Sequence, residues 1–141
     1  MTPGEIFRHE AFYADEGSGE LRRKYFVVLG ILNGGDIVIR LLTSRAHGRP
    51  EDPKCFHGHP YPSYFLGVPG GELGTKTWVD LRYLDDVDAL DVQREIQRNI
   101  VKASGVLDRL ALMPLLDCAA AAEDTTQRQE RAMRDLLAAM R

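Results

Sequence analysis

Lys24-Tyr25-Phe26-Val27-Val28-Leu29-Gly30-Ile31-Leu32-Asn33-Gly34-Gly35-Asp36-Ile37-Val38-Ile39-Arg40-Leu41-Leu42-Thr43 reads as a β-hairpin. Its first arm is aromatic and β-branched, short and almost continuously apolar, the pattern of a central strand buried on both faces. Asn33-Gly34-Gly35-Asp36 supplies the turn, because Asn and Gly tolerate the positive φ of tight hairpin connections. Ile37 to Thr43 forms the returning arm. With the turn at Asn33 to Asp36, residues whose numbers sum to about 68 oppose each other. That register sets Lys24 near Ser44 and Arg23 near Arg45.

Outward from the hairpin, further short strands are predicted. Glu5 to Tyr13 follows Pro3-Gly4 as a loosely alternating strand, and Ala14 to Glu20 is a glycine-bearing loop. On the other side, Ser44 to Ser63 contains Pro50, Pro53, Pro60 and Pro62 and three of the four histidines. Proline removes donors and fixes φ, so this stretch is a long loop rather than a helix or central strand. Tyr64 to Val68 and Thr77 to Leu81 are strands separated by the Pro69-Gly70-Gly71 turn. After the acidic Asp85 to Asp91, Val92 to Asn99 is helical or irregular and Val101 to Leu107 is a last short strand. Leu110 to Ala122 reads as a helix with Pro114 in its first turn, where a missing N–H does little harm. A final helix over Gln127 to Met140 is marked by capping-box spacing at Thr126 and Gln129 and by an apolar face of Met133, Leu136, Leu137 and Met140.

Strands joined by tight turns and followed by helices predict a mainly β fold with C-terminal helices, its antiparallel sheet curled or closed into a small barrel. There is no βαβ pattern, internal repeat or Gly-x-Gly-x-x-Gly fingerprint. The 141 residues, 44% hydrophobic and 28% charged, suit one globular domain. No apolar run approaches the ~18 residues of a membrane span. Met1 to Glu10 lack a secretory-signal layout. Cys55 and Cys118 are too few for a disulfide scaffold and suit a reduced compartment, so the cytoplasm is the expected location. A net charge of −3 argues against a globally basic nucleic-acid binder. Acidic residues collect between Asp80 and Asp91, however, whereas Arg22, Arg23, Lys24, Arg40 and Arg45 gather on the hairpin.

Three groups of residues carry chemistry. The hairpin brings Arg22, Arg23 and Lys24 to the same end of the sheet as Thr43, Ser44 and Arg45. Fixed cations and hydroxyls can grip a phosphodiester and stabilise charge developing on its oxygens, although the same residues suit an ordinary solvated strand end. In the long loop, His47 lies upstream of Cys55-Phe56-His57-Gly58-His59. Cysteine and histidine are zinc ligands, but Cys-x-His-x-His is not a common structural-zinc spacing, and neither a metal nor a cofactor is assigned. His57 or His59 also suits acid–base work. Asp80, on the same strand face as Trp78, suits a base, an orienting partner for a guanidinium, or a strand-edge salt bridge.

The order of these motifs resembles the PemK/MazF family of plasmid-maintenance toxins. Pro3-Gly4-Glu5-Ile6 is similar to that family's first strand start, and Gly19 to Leu29 to its glycine loop and Arg-rich strand. Leu42-Thr43-Ser44, Thr77-Trp78-Val79-Asp80-Leu81 and Leu84 to Asp88 are similar to later blocks, so the resemblance spans Pro3 to Leu116. It implies an SH3-like β-barrel over residues 1–117, with 118–141 as a helical extension packed on the same domain. It also implies a homodimeric, metal-independent endoribonuclease that cuts single-stranded RNA with the substrate's 2′-hydroxyl as nucleophile and is neutralised by a protein antitoxin. The family's RNA-cleaving Arg maps to Arg23, or to Arg22 with a one-residue slip. The phosphate-holding Thr/Ser maps to Thr43 beside Ser44, and a base used by some members maps to Asp80. Lys24 stands where the family carries proline, and Trp78 where some members carry an arginine. A barrel that keeps the fold but binds or inhibits a protein partner without catalysis is the alternative.

Overall fold

The computed structural model describes Met1–Arg141 throughout. Its elements are β1 (Glu5–Ala14), β2 (Leu21–Ile31), β3 (Asp36–Thr43), β4 (Cys55–Phe56), β5 (Ser63–Gly67), β6 (Thr77–Asp80), β7 (Val87–Asp88), α1 (Ala89–Gln97), β8 (Val101–Val106), α2 (Arg109–Ala120) and α3 (Gln127–Met140). The eight strands form one antiparallel sheet in the order β4-β5-β6-β3-β2-β1-β8, with β7 paired to β3. The end strands β4 and β8 do not pair with each other, so the sheet is open rather than hydrogen-bonded into a closed barrel.

The continuous apolar run of β2 has a direct structural cause. Val27 and Leu29 enter one core with Ile6, Val79, Leu115, Met133 and Leu137, whereas Phe26 and Val28 enter a second core with Phe7, Ile39, Val92 and Val101. Successive side chains point to opposite faces, so a strand covered on both sides must be apolar at every position. Helices α2 and α3 cover the first face and α1 the second. Residue 117 lies within α2, and α3 packs on both α2 and β2.

The hairpin forms with a one-residue change of register. Ile31 opposes Ile37 and Gly30 opposes Val38, but beyond a bulge at Leu29 the pairs become Val28 with Ile39 and Tyr25 with Leu42. Extended by one residue, this register sets Lys24 against Thr43 rather than Ser44. A bulge adds a residue to one strand only, and turn chemistry does not report it.

The helices also depart from the sequence reading in detail. The segment read as helical or irregular is α1, capped by Asp88, whose side chain accepts from the Leu90 N–H at 2.8 Å. Pro114 is the sixth residue of α2, in its second turn rather than its first. The carbonyl this leaves without a helical donor belongs to Leu110, which is 86% exposed. The capping box at Thr126 and Gln129 forms as expected.

Arg40 is corrected outright. It does not join the cationic end of the hairpin but lies 1% exposed on the sheet face under α3. There it donates to Gln129 Oε1 at 2.9 Å and to the backbone carbonyls of Ile39 and Leu84. Burial pushes its pKa down, and the charges of Asp86 and Asp80 oppose that shift.

Candidate functional site

A cleft of about 660 Å³ opens at the end of the sheet where β2 begins and β3 ends. Arg22, Arg23, Lys24, Thr43, Ser44, Arg45 and Asp80, the seven residues singled out from sequence, all line it. The long loop and the segment after β6 add His47, Arg49, Tyr61 and Arg82, which the sequence reading did not assign to the site. Six basic side chains therefore face three acidic ones, Asp15, Glu72 and Asp80.

The ion pairs divide the cations into groups. Arg22 pairs with Asp15 at 3.3 Å, and Arg23 with Glu10 at 3.3 Å. Arg82 and Arg49 both approach Asp80, at 2.6 and 3.8 Å. Lys24 lies over the Tyr13 ring, 5.8 Å from its centroid, and neither it nor Arg45 has a salt-bridge partner. The Thr43 hydroxyl accepts the backbone N–H of Arg45 at 3.1 Å, which fixes its lone pair and leaves its proton free to donate.

Asp80 is a locked carboxylate. The Arg82 Nε, terminal nitrogen and backbone N–H all donate to it, at 2.6 to 3.1 Å. Burial alone would raise its pKa, but these hydrogen bonds and the charges of Arg82 and Arg49 outweigh burial and hold it below the usual aspartate value. A carboxylate so stabilised is a weak base and a strong orienting partner. Of the roles open to Asp80 from sequence, the geometry favours the second. Arg82, two residues after Asp80, is the guanidinium that this carboxylate holds.

Trp78, two residues before Asp80, serves packing. It is 3% exposed, its ring lies 5.1 Å from that of Phe65, and its Nε1 donates to the Pro50 carbonyl at 2.9 Å. This contact ties the long loop to β6 and seats Arg49 beneath the cleft, 7% exposed, where it donates to the Arg45 carbonyl at 2.9 Å. Burial lowers the Arg49 pKa against the pull of Asp80. The guanidinium carbons of Arg49 and Arg82 lie 4.6 and 5.1 Å from the Tyr61 centroid. Cation–π attraction thus holds one phenol ring beside two charges.

The loop's Cys55, His57 and His59 lie outside the cleft. Cys55 is bonded to Cys118, which corrects the expectation of reduced thiols. Sixty-three positions apart in the chain, the two meet because β4 adds to the sheet edge over which α2 packs, leaving their Cα atoms 5.7 Å apart. His57 joins them, but His59 pairs with Glu123 at 3.1 Å instead. No helix of the chain is long and apolar enough to cross a membrane.

No protein-family model, curated protein or solved structure matches this chain. The residues lining the cleft therefore carry the functional reading.

Proposed function

We propose that the cleft grips the phosphodiester backbone of single-stranded RNA, and that the protein is a metal-independent endoribonuclease of the PemK/MazF kind. The observation that carries this reading is the convergence of six basic side chains with Thr43 and Ser44 on one cleft of a chain whose net charge is −3. Charge-assisted hydrogen bonds to phosphate need such donors, and a small cationic cleft suffices for a short stretch of RNA. Thr43 and Ser44 hold the scissile phosphate while Arg23 stabilises the charge developing on its oxygens. The 2′-hydroxyl oxygen attacks phosphorus and the 5′-oxygen leaves, giving a 2′,3′-cyclic phosphate and a 5′-hydroxyl. Asp80 keeps Arg82 aimed at the phosphate, with Arg49 as a buried charge beneath it, rather than taking a proton. His47, the cleft's one imidazole, is the group suited to moving protons. By the same resemblance, the protein acts as a homodimeric toxin that arrests growth and is neutralised by a cognate antitoxin.

A specific observation favours the second reading, a non-catalytic domain of this β-rich fold that binds a protein partner. Asp80 is saturated by Arg82, and Arg23 is engaged by Glu10. Purified protein incubated with single-stranded RNA and a chelator separates the two. The nuclease reading expects cleavage that falls by on the order of 10² in Arg23→Ala. Intact RNA at high protein concentration rejects it, and a partner captured equally well by Arg23→Ala then supports the second reading.

A further inference from the structure

The corner formed by Cys55, His57 and Cys118 lies apart from the cleft, and none of its residues lines that cavity. His57 Nε2 is 3.4 Å from Cys55 Sγ and 3.6 Å from Cys118 Sγ, and the three ligand atoms lie within 4.8 Å of one another. A tetrahedral zinc ion with Zn–S of about 2.3 Å and Zn–N of about 2.0 Å holds N and S about 3.6 Å apart and two sulfurs about 3.8 Å apart. Both N···S edges therefore already have zinc spacing. Only the two bonded sulfurs must separate to complete a tetrahedral face.

We propose that reduction of the Cys55–Cys118 disulfide converts this corner into a Cys2His zinc site, with its fourth position open to water. A dithiol reductant supplies two electrons and two protons, the S–S bond breaks to two thiols, and the reductant becomes a disulfide. Zinc then displaces both thiol protons and takes the Nε2 lone pair. Two thiolates balance the charge of Zn²⁺, and thiolate with imidazole selects zinc over hard cations. In the disulfide form His57 Nε2 lies 3.0 Å from the Cys118 carbonyl, which can only accept, so Nε2 carries the proton there. Zinc binding moves that proton to Nδ1. His57 is exposed and Cys118 buried, so the ion has a path in from solvent and a protected seat. The metal would replace one tie between the long loop and α2 with another. The proposal does not depend on the cleft's function.

The test uses the full chain, oxidised or reduced with a phosphine under argon, and titrates Zn²⁺ against a chromophoric chelator. Co²⁺ is the spectroscopic probe. Reduced protein should take up one equivalent of Zn²⁺ and show a thiolate-to-Co²⁺ charge-transfer band with intense tetrahedral d–d bands, whereas oxidised protein should show neither. His57→Ala should weaken the reduced site by at least ~100-fold, since even outer-shell partners of a ligand are worth 10–100-fold. Because this variant keeps its disulfide, its fold can be checked before reduction. Less than one equivalent in the reduced protein, equal uptake by the oxidised protein, or no effect of His57→Ala overturns the proposal.

Discussion

Asp80 and Arg82 form a two-residue clamp in which one carboxylate accepts from the backbone N–H, Nε and terminal nitrogen of the same arginine. The Asp80 side chain is 11% exposed and that of Arg82 52%, so the acid is sheltered while the guanidinium reaches solvent. The Arg49 side chain, 3% exposed, approaches the same carboxylate from below. One buried anion thus organises two cations at the cleft.

Removing that anion should cost stability. Asp80→Asn leaves the Arg49 guanidinium buried without its counter-charge, for an expected loss of about 1–3 kcal/mol by urea denaturation at pH 7. The Asp80 pKa lies below its unfolded value, so its contribution is complete above the ordinary aspartate range. It disappears as pH falls from about 4 through the lowered value. The gap in stability between wild type and Asp80→Asn should therefore narrow in that acid window. A gap independent of pH would show that the clamp is not an ion pair in solution.

Gln129 joins α3 to the sheet through a fully used amide. Its Oε1 accepts from Arg40 and from the Thr126 N–H, and its Nε2 donates to the Leu84 carbonyl and Asp86. Gln129→Leu preserves bulk but leaves Arg40 without this partner and breaks the capping box. A loss of about 2–4 kcal/mol is expected in chemical denaturation. A change below ~0.5 kcal/mol, the range of ordinary surface substitutions, would mean that water replaces these bonds freely.

The Cys55–Cys118 bond spans 63 residues of chain. Closing a loop of that length restricts the unfolded ensemble, so Cys55→Ser with Cys118→Ser should lower stability by about 2–4 kcal/mol. Thermal unfolding of the oxidised wild type against the double variant measures it. Unchanged melting would show that the long loop is held by its other contacts, such as Trp78 with Pro50.

Binding of single-stranded RNA should weaken with salt, because each neutralised phosphate releases counterions. Arg45 lines the cleft without an ion-pair partner, so Arg45→Ala should reduce the slope of log K against log salt by about 0.7, one single-strand phosphate contact. Fluorescence anisotropy over a salt series reads this slope. Equal slopes for the two proteins would remove Arg45 from the RNA path.

Much of the cleft was legible because it lies at the two arms of one hairpin. Arg22, Arg23 and Lys24 meet Thr43, Ser44 and Arg45 through local register, and a one-residue bulge moves the pairing without moving the group. Arg49, Tyr61 and Arg82 were missed for the opposite reason. Their places depend on the long loop folding back through Trp78 onto Pro50, a contact between residues 28 apart that no local pattern reports. Arg40 was misplaced because charge on a strand reads as exposure, whereas here its partner Gln129 comes from a helix 89 residues later.

The sequence by itself determined the strands β1, β2, β3, β5, β6 and β8, the Asn33-Gly34 turn, the two-faced burial of β2 and the capping of α3, but not the two-residue strands β4 and β7. Each feature so determined follows from side-chain periodicity, backbone preference or a cap within a few residues. Tertiary structure alone decided that the sheet stays open, that Cys55 bonds Cys118, and that Asp80 is held by Arg82 and Arg49. These depend on the three-dimensional meeting of segments whose separation carries no periodic signal, and on the desolvation and charge that follow once they meet.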